Sequence, residues 1–166
     1  SDYRELSENM GVHHVTTKSV NFDDDLPDMM KASDPILGLI NLARLRKVPL
    51  RKQYDMSNTH LTWNEINYVD SCLGRYKQVR HKFDFTDMLE NFVIEGSNFC
   101  PNFELCFVDE AQDLSPMQWD IAHLLDERSK RMYVAGDDDQ AIYRWAGADV
   151  DAFINLEGGS DTLSQS

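Results

Sequence analysis

Two short apolar runs, each broken off by acidic residues, constrain this chain more than any other feature. Leu105-Cys106-Phe107-Val108 ends in Asp109-Glu110, and Met132-Tyr133-Val134-Ala135 ends in Gly136-Asp137. A continuous apolar run of this length is what a central parallel strand buried on both faces requires. Between the runs, Ser115-Pro116-Met117-Gln118 has the form of a capping box with proline at the first helical position. Met117, Ile121, Leu124 and Leu125 then share one side of a helix. Strand, helix and strand at these lengths predict a parallel βαβ crossover. Open α/β sheets bind ligands at the carboxyl ends of their strands, where both runs deliver acids.

The chain before these runs reads as mostly helical. Residues 1 to 32 are polar and rich in Asp, and predict loop with short helical or strand pieces. Asp34-Pro35, a capping residue followed by proline, opens a helix that is expected to run to Lys47 and to be closed by Pro49. Thr62-Trp63-Asn64-Glu65 is a second capping box, after which Ile66, Val69, Leu73, Tyr76 and Phe83 recur at helical steps. Asp84 caps a further helix with Met88, Leu89, Phe92 and Val93 apolar, for which Gly96 is the expected terminator. The domain boundary is placed at residue 82: a mainly helical subdomain over 1–82 and an α/β piece over 83–166.

Charge narrows the possible partners. The net charge of −13 excludes bulk electrostatic coating of a nucleic acid, because phosphate binding rests on Lys and Arg displacing counterions. Any such contact must be local, and two basic stretches qualify. The first holds Arg44, Arg46, Lys47, Arg51 and Lys52; the second holds Arg75, Lys77, Arg80, His81 and Lys82. The competing reading is that they are solvated helix faces. With 166 residues, 42% of them hydrophobic, the chain is long enough to bury a core. No apolar run approaches the roughly 18 residues of a membrane span, and the first residues lack a signal-peptide pattern, so a cytoplasmic protein is expected. Cys72, Cys100 and Cys106 have no metal-like spacing, so neither disulfide nor zinc is predicted; adjacent His13-His14 likewise lack a partner at ligand spacing.

A strand ending in Asp-Glu is the Walker B arrangement, in which one carboxylate helps hold Mg²⁺ and the other polarises the attacking water. Four apolar residues before Asp-Glu are unspecific alone, a helix-capping acid being the rival reading. The wider strings are specific. FVDEAQDLSPMQW followed, after one helix, by VAGDDDQAIYRWAGAD resembles motifs II and III of UvrD/Rep-like superfamily 1 DNA helicases, in order. FDFTDML upstream resembles the segment preceding the Walker B strand in that family, and residues 162–166 resemble the opening of motif IV. The resemblance is specific over 83–166 and diffuse over 1–82, where the family places its helical 1B insertion.

The resemblance implies a fold, a chemistry and a set of roles. The fold is α/β: a partial RecA-like parallel sheet, the P-loop NTPase fold without its P-loop half, beside a mainly helical 1B-type subdomain. Asp109 would coordinate Mg²⁺, Glu110 would be the general base, and Gln140 would contact the γ-phosphate of ATP. Gln112 and Asp113 would support that network. Tyr143, Arg144 and Trp145 would face DNA, with the tryptophan stacking on a single-stranded base. Such stacking suits a motor, since every base has a π-face. Two departures from the family pattern, Ala146 where arginine is common and Ala141 where serine is common, bear on DNA coupling and leave the acids untouched.

No GxxxxGK[ST] loop occurs, and the later arginine motifs are also missing. The expectation is therefore an internal piece of a longer ATP-dependent helicase of a bacterial cell or phage-infected host. The parent would move 3′ to 5′ on single-stranded DNA, with duplex DNA as a further partner, and the piece alone would not hydrolyse ATP. Two rivals come from other classes: a non-catalytic DNA- or protein-binding module, and a Mg²⁺-dependent nuclease built on Asp109, Glu110, Asp113 and Asp137. Trp63 and Trp119 read as core anchors.

Overall fold

The computed structural model describes residues 35–159 and 161; the readings of residues 1–32, His13-His14, the Asp34 cap and 162–166 fall outside them. In chain order the elements are α1 (Pro35–Leu45), α2 (Leu50–Met56), α3 (Trp63–Arg80), α4 (Phe85–Phe99), β1 (Cys106–Val108), α5 (Pro116–Glu127), β2 (Met132–Val134) and α6 (Val150–Ile154). The 3₁₀ turns Ala111–Asp113, Asp138–Gln140 and Arg144–Ala146 fill the second half. The architecture is mixed α/β, mostly helical, with a two-stranded parallel sheet. The chain divides into two compact units between Asn91 and Phe92, within α4, where the sequence places its boundary at residue 82. No helix among the described residues is long and apolar enough to cross a membrane.

In the first unit, α1 contributes Ile36, Leu37, Leu39 and Ile40 to a core that α3 completes with Ile66, Val69 and Leu73. Thr62 caps α3 through a reciprocal box: its Oγ1 accepts the Glu65 N–H at 3.3 Å, and the Thr62 N–H donates to Glu65 Oε2 at 2.7 Å. This exchange holds the Glu65 carboxyl below its ordinary range. Phe83, expected on the apolar stripe, is instead 67% exposed, because α3 ends at Arg80 with His81 in the left-handed region. α1 also ends earlier than expected, at Leu45. Lys47 takes φ 54°, its N–H bonding Arg44 O at 2.9 Å and that of Val48 bonding Ala43 O at 3.0 Å, which closes the last turn. Pro49 therefore does not close α1; it precedes α2, a helix the sequence reading omits. The polar run Leu50–Met56 gives little apolar periodicity, and its buried residue is Gln53, whose Oε1 accepts from Arg46 Nη1 at 3.1 Å.

Two of the basic residues prove to be structural. Arg44 bonds Glu90 at 3.0 and 2.7 Å and Asp87 at 2.5 Å, and also reaches Asp84; Lys77 pairs with Asp84 and Asp87. Asp84 caps α4 by accepting the Asp87 N–H at 2.7 Å. Burial opposes the Arg44 charge, but the Glu90 hydrogen bond and the carboxylates around it hold its pKa above the ordinary value.

In the second unit, β1 pairs with β2 in parallel register, Cys106 with Met132, Phe107 with Tyr133 and Val108 with Val134. α5 is the crossover, opened by the Ser115/Gln118 box with Pro116 in its first turn, and it buries Met117, Trp119 and Ala122. Trp119 is a core anchor, packed with Ala111 and Ala122 against Val108 and Val134, its Nε1–H donating to Asp149 O at 3.3 Å. The sheet is not buried on both faces: Phe107 is 70% and Tyr133 52% exposed, their rings stacked at 5.4 Å. The core that gathers Val108 and Val134 lies on the other side of the strands, to which the pleat turns alternate residues. Gly96 does not terminate α4. It lies inside the helix, where a Cβ would approach Leu124 Cδ1 to 3.3 Å and the Phe92 ring to 3.4 Å.

Candidate functional site

The parallel register brings the carboxyl ends of β1 and β2 side by side, and both acidic strings sit there. Backbone bonds tie the two ends together, Ala135 N–H to Val108 O at 2.8 Å and Ala111 N–H to Ala135 O at 3.0 Å. Asp109 and Glu110 are exposed, and Asp109 Oδ1 accepts the Glu110 N–H at 3.0 Å. Glu110 adopts φ 52°, ψ 41°, a left-handed conformation that costs a side-chain-bearing residue about 1–2 kcal/mol. Such strain clusters where surrounding structure fixes a side chain for a task.

Gln112 does the fixing. Only 2% exposed, it donates from Nε2 to Glu110 Oε2 at 2.7 Å and accepts the Asp137 N–H on Oε1 at 2.9 Å. Asp137 then caps the following 3₁₀ turn, taking the Asp139 N–H at 3.1 Å and Gln140 Nε2 at 2.6 Å. Glu110, Gln112, Asp137 and Gln140 thus form one hydrogen-bonded series across two strand ends. Sequence reasoning treats Asp137 only as part of an acidic turn or a nuclease cluster, and misses its hold on Gln140. The N-capping position directly after a strand was the available signal.

Asp113 is placed differently. Its Oδ1 is buried without a hydrogen-bond partner among the described residues, and burial together with the Glu110 charge pushes its carboxyl up. Its N–H bonds Glu110 O at 3.0 Å, so the backbone, rather than the carboxylate, links it to the series.

The residues implied for DNA follow at once. Tyr143 precedes the 3₁₀ turn Arg144–Ala146, which contains Trp145, and its carbonyl accepts from Ala146 at 2.9 Å and Ala148 at 3.3 Å. The Arg144 side chain is 60% exposed and 4.0 Å from Asp151. Asp149 returns the segment to the turn before α5: its N–H bonds Leu114 O at 2.8 Å, and its Oδ1 caps α6 at Ala152 N–H, 3.1 Å away.

Among the described residues no three His, Cys, Asp or Glu gather as a metal cage. Mg²⁺ needs none, since it is commonly held by one or two carboxylates plus nucleotide phosphates. The exposed oxygens of Asp109 at a strand end fit that mode. They do not fit a cluster that holds two metals on protein ligands alone.

The sequence matches the UvrD/REP helicase N-terminal domain over residues 6–159. It is 40% identical over 124 residues to the ATP-dependent DNA helicase PcrA of Staphylococcus aureus, covering 70% of this chain and 17% of that protein. Over 55 residues it is 47% identical to the PcrA of Leuconostoc citreum and 42% identical to that of Bacillus subtilis, in each case covering 33% of this chain and 7% of the relative. The chain therefore spans less than a fifth of the length of these relatives. With most of its length inside the matched domain, the chain belongs to the UvrD/REP helicase family.

Proposed function

We propose that this chain is a segment of an ATP-dependent DNA helicase, carrying half of a RecA-like domain and a helical 1B-type insertion. In this reading the carboxyl ends of β1 and β2 form the water-activating side of its ATP site. The observation that carries the reading is the hydrogen-bonded series from Glu110 to Gln140 across adjacent strand ends, set inside a sequence that matches the family. The 70% exposed Phe107 and 52% exposed Tyr133 support the segment reading, because parallel sheets are normally covered on both faces. The intact protein would move on single-stranded DNA, with duplex DNA ahead of it, in the cytoplasm.

Asp109 would hold Mg²⁺, which neutralises phosphate charge when bound. Glu110 would accept a proton from the water whose oxygen attacks the γ-phosphorus as the bond to the ADP oxygen breaks. A positioned base contributes about 10²- to 10⁴-fold. Gln140, at the start of the segment that contains Tyr143, Arg144 and Trp145, would report the γ-phosphate to the DNA-facing turn. Stacking on Trp145 would contribute roughly 1–3 kcal/mol per base without reading sequence. The phosphate-cradling loop would come from elsewhere in the intact protein, so the 166-residue chain alone would show no turnover.

The test is ATP hydrolysis by the full-length protein. Glu110→Gln is expected to lower kcat at least about 100-fold, and Trp145→Ala to remove stimulation by single-stranded DNA while leaving DNA-independent hydrolysis. Hydrolysis by Glu110→Gln within twofold of the parent, or turnover by the isolated chain, would overturn the proposal.

A further inference from the structure

The resemblance gives Gln112 only a general supporting place; the structure shows what it joins, the Glu110 carboxylate to Asp137, which in turn holds Gln140. At 2% exposure its amide must be satisfied by protein, and both ends are. The orientation of the amide follows from its partners: the carbonyl faces the Asp137 N–H at 2.9 Å and the NH₂ faces the Glu110 carboxylate at 2.7 Å. Reversed, it would set donor against donor and acceptor against acceptor. Among the described residues this is the only hydrogen bond made to the Glu110 carboxylate, and it engages Oε2, leaving Oε1 for another partner.

Two further observations show that the bridge is built in. Gly136 makes room for it: a Cβ at that position would lie 2.6 Å from Gln112 Oε1. Asp137, whose N–H Gln112 holds, itself holds Gln140 Nε2 at 2.6 Å, so displacing Gln112 loosens both Glu110 and the base of the Gln140 turn.

We infer that Gln112 is a positioning residue for ATP hydrolysis: a strut between the ends of β1 and β2 that keeps the Glu110 carboxylate in register with Gln140. The inference rests on the reading of Glu110 as the base. Gln112 touches neither nucleotide nor water in this role; it acts through Glu110.

The experiment measures kcat and KM for ATP in the full-length protein, with thermal unfolding as a check on folding. Gln112→Ala is expected to lower kcat about 10- to 100-fold with KM changed less than about threefold, the pattern of a lost transition-state interaction. In a Glu110→Gln background the same substitution is expected to have no further effect on single-turnover hydrolysis, because residues acting as one unit are non-additive. Gln112→Met keeps nearly the same volume and removes both hydrogen bonds without leaving a cavity, and it should show the same fall in kcat at little-changed KM. That variant decides the matter if Gln112→Ala does not fold. An unchanged kcat in either folded variant, or an equal loss in the Glu110→Gln background, would each overturn the inference. Full activity of Glu110→Gln would instead overturn the reading beneath it.

Discussion

Gly136→Ala probes the strand-end bridge from its other side. The added methyl carbon would lie 2.6 Å from Gln112 Oε1 and 2.9 Å from Phe153 Cζ, both well inside van der Waals contact. Relief requires roughly 0.6 Å of movement, which would stretch the 2.9 Å bond from the Asp137 N–H toward the limit of a hydrogen bond. Overpacking of this kind costs about 1–3 kcal/mol, and loss of a bond to a buried amide adds about 1 kcal/mol. Together these give about 2–4 kcal/mol of local destabilisation. At a factor of ten for each 1.4 kcal/mol, hydrogen exchange at the Asp137 amide should accelerate roughly 30- to 700-fold, while amides of α3 in the other unit keep their protection. Gln112→Ala removes the oxygen that clashes, so the double variant should be less destabilised than the sum of the two single changes. Exchange at Asp137 that is unchanged in Gly136→Ala, or strictly additive effects in the double variant, would refute the steric account.

Three other predictions concern stability. Ile66, fully buried between α1 and α3, should cost about 2–4 kcal/mol as Ile66→Ala, read as a lower urea midpoint of the helical circular dichroism signal; a change below about 1 kcal/mol would contradict the described core. Burial opposes ionisation of Asp87, but the Lys77 ammonium, the Asp84 N–H and the Arg44 charge outweigh it and lower its pKa to about 2. A carboxylate depressed in the folded state stabilises fully above its unfolded value near 4. That stability should therefore be lost as pH falls from about 4 to about 2, and an acid titration of Asp87→Asn should be flatter there; an identical acid limb in the variant would count against the cluster. Glu110→Gly should be about 1 kcal/mol more stable than Glu110→Ala, because glycine alone enters φ 52° without steric penalty; equal melting temperatures would indicate an unstrained backbone.

Local signals in the sequence carry over where the physics is local. The boxes at Thr62 and Ser115 start α3 and α5 because each needs only three residues and their own backbone. The two apolar runs give the strands and their parallel pairing, and hence the acids at one edge. Features set by tertiary neighbours were not legible. Gly96 looks like a helix stop until Leu124 and Phe92 occupy the space beside it. Leu50–Met56 lacks a stripe because the α2 residue that is buried is Gln53, satisfied by Arg46. Arg44 and Lys77 read as free basic residues until Asp84, Asp87 and Glu90 fold onto them. Within the candidate site, the string around Asp109 and Glu110 places both acids at the end of β1. It does not show that Gln112 reaches 25 residues along the chain to the Asp137 amide, since that bond exists only once β1 and β2 are paired.

The most direct measurement is a structure of the full-length protein with Mg²⁺ and a non-hydrolysable ATP analogue. The account predicts Glu110 Oε1 and the Gln140 amide within hydrogen-bond reach, about 2.6–3.2 Å, of the water in line with the γ-phosphorus or of the γ-phosphate itself, with Gln112 still bridging to Asp137. A nucleotide seated at any other edge of the fold, with Glu110 and Gln140 turned away from it, would contradict the account at its centre.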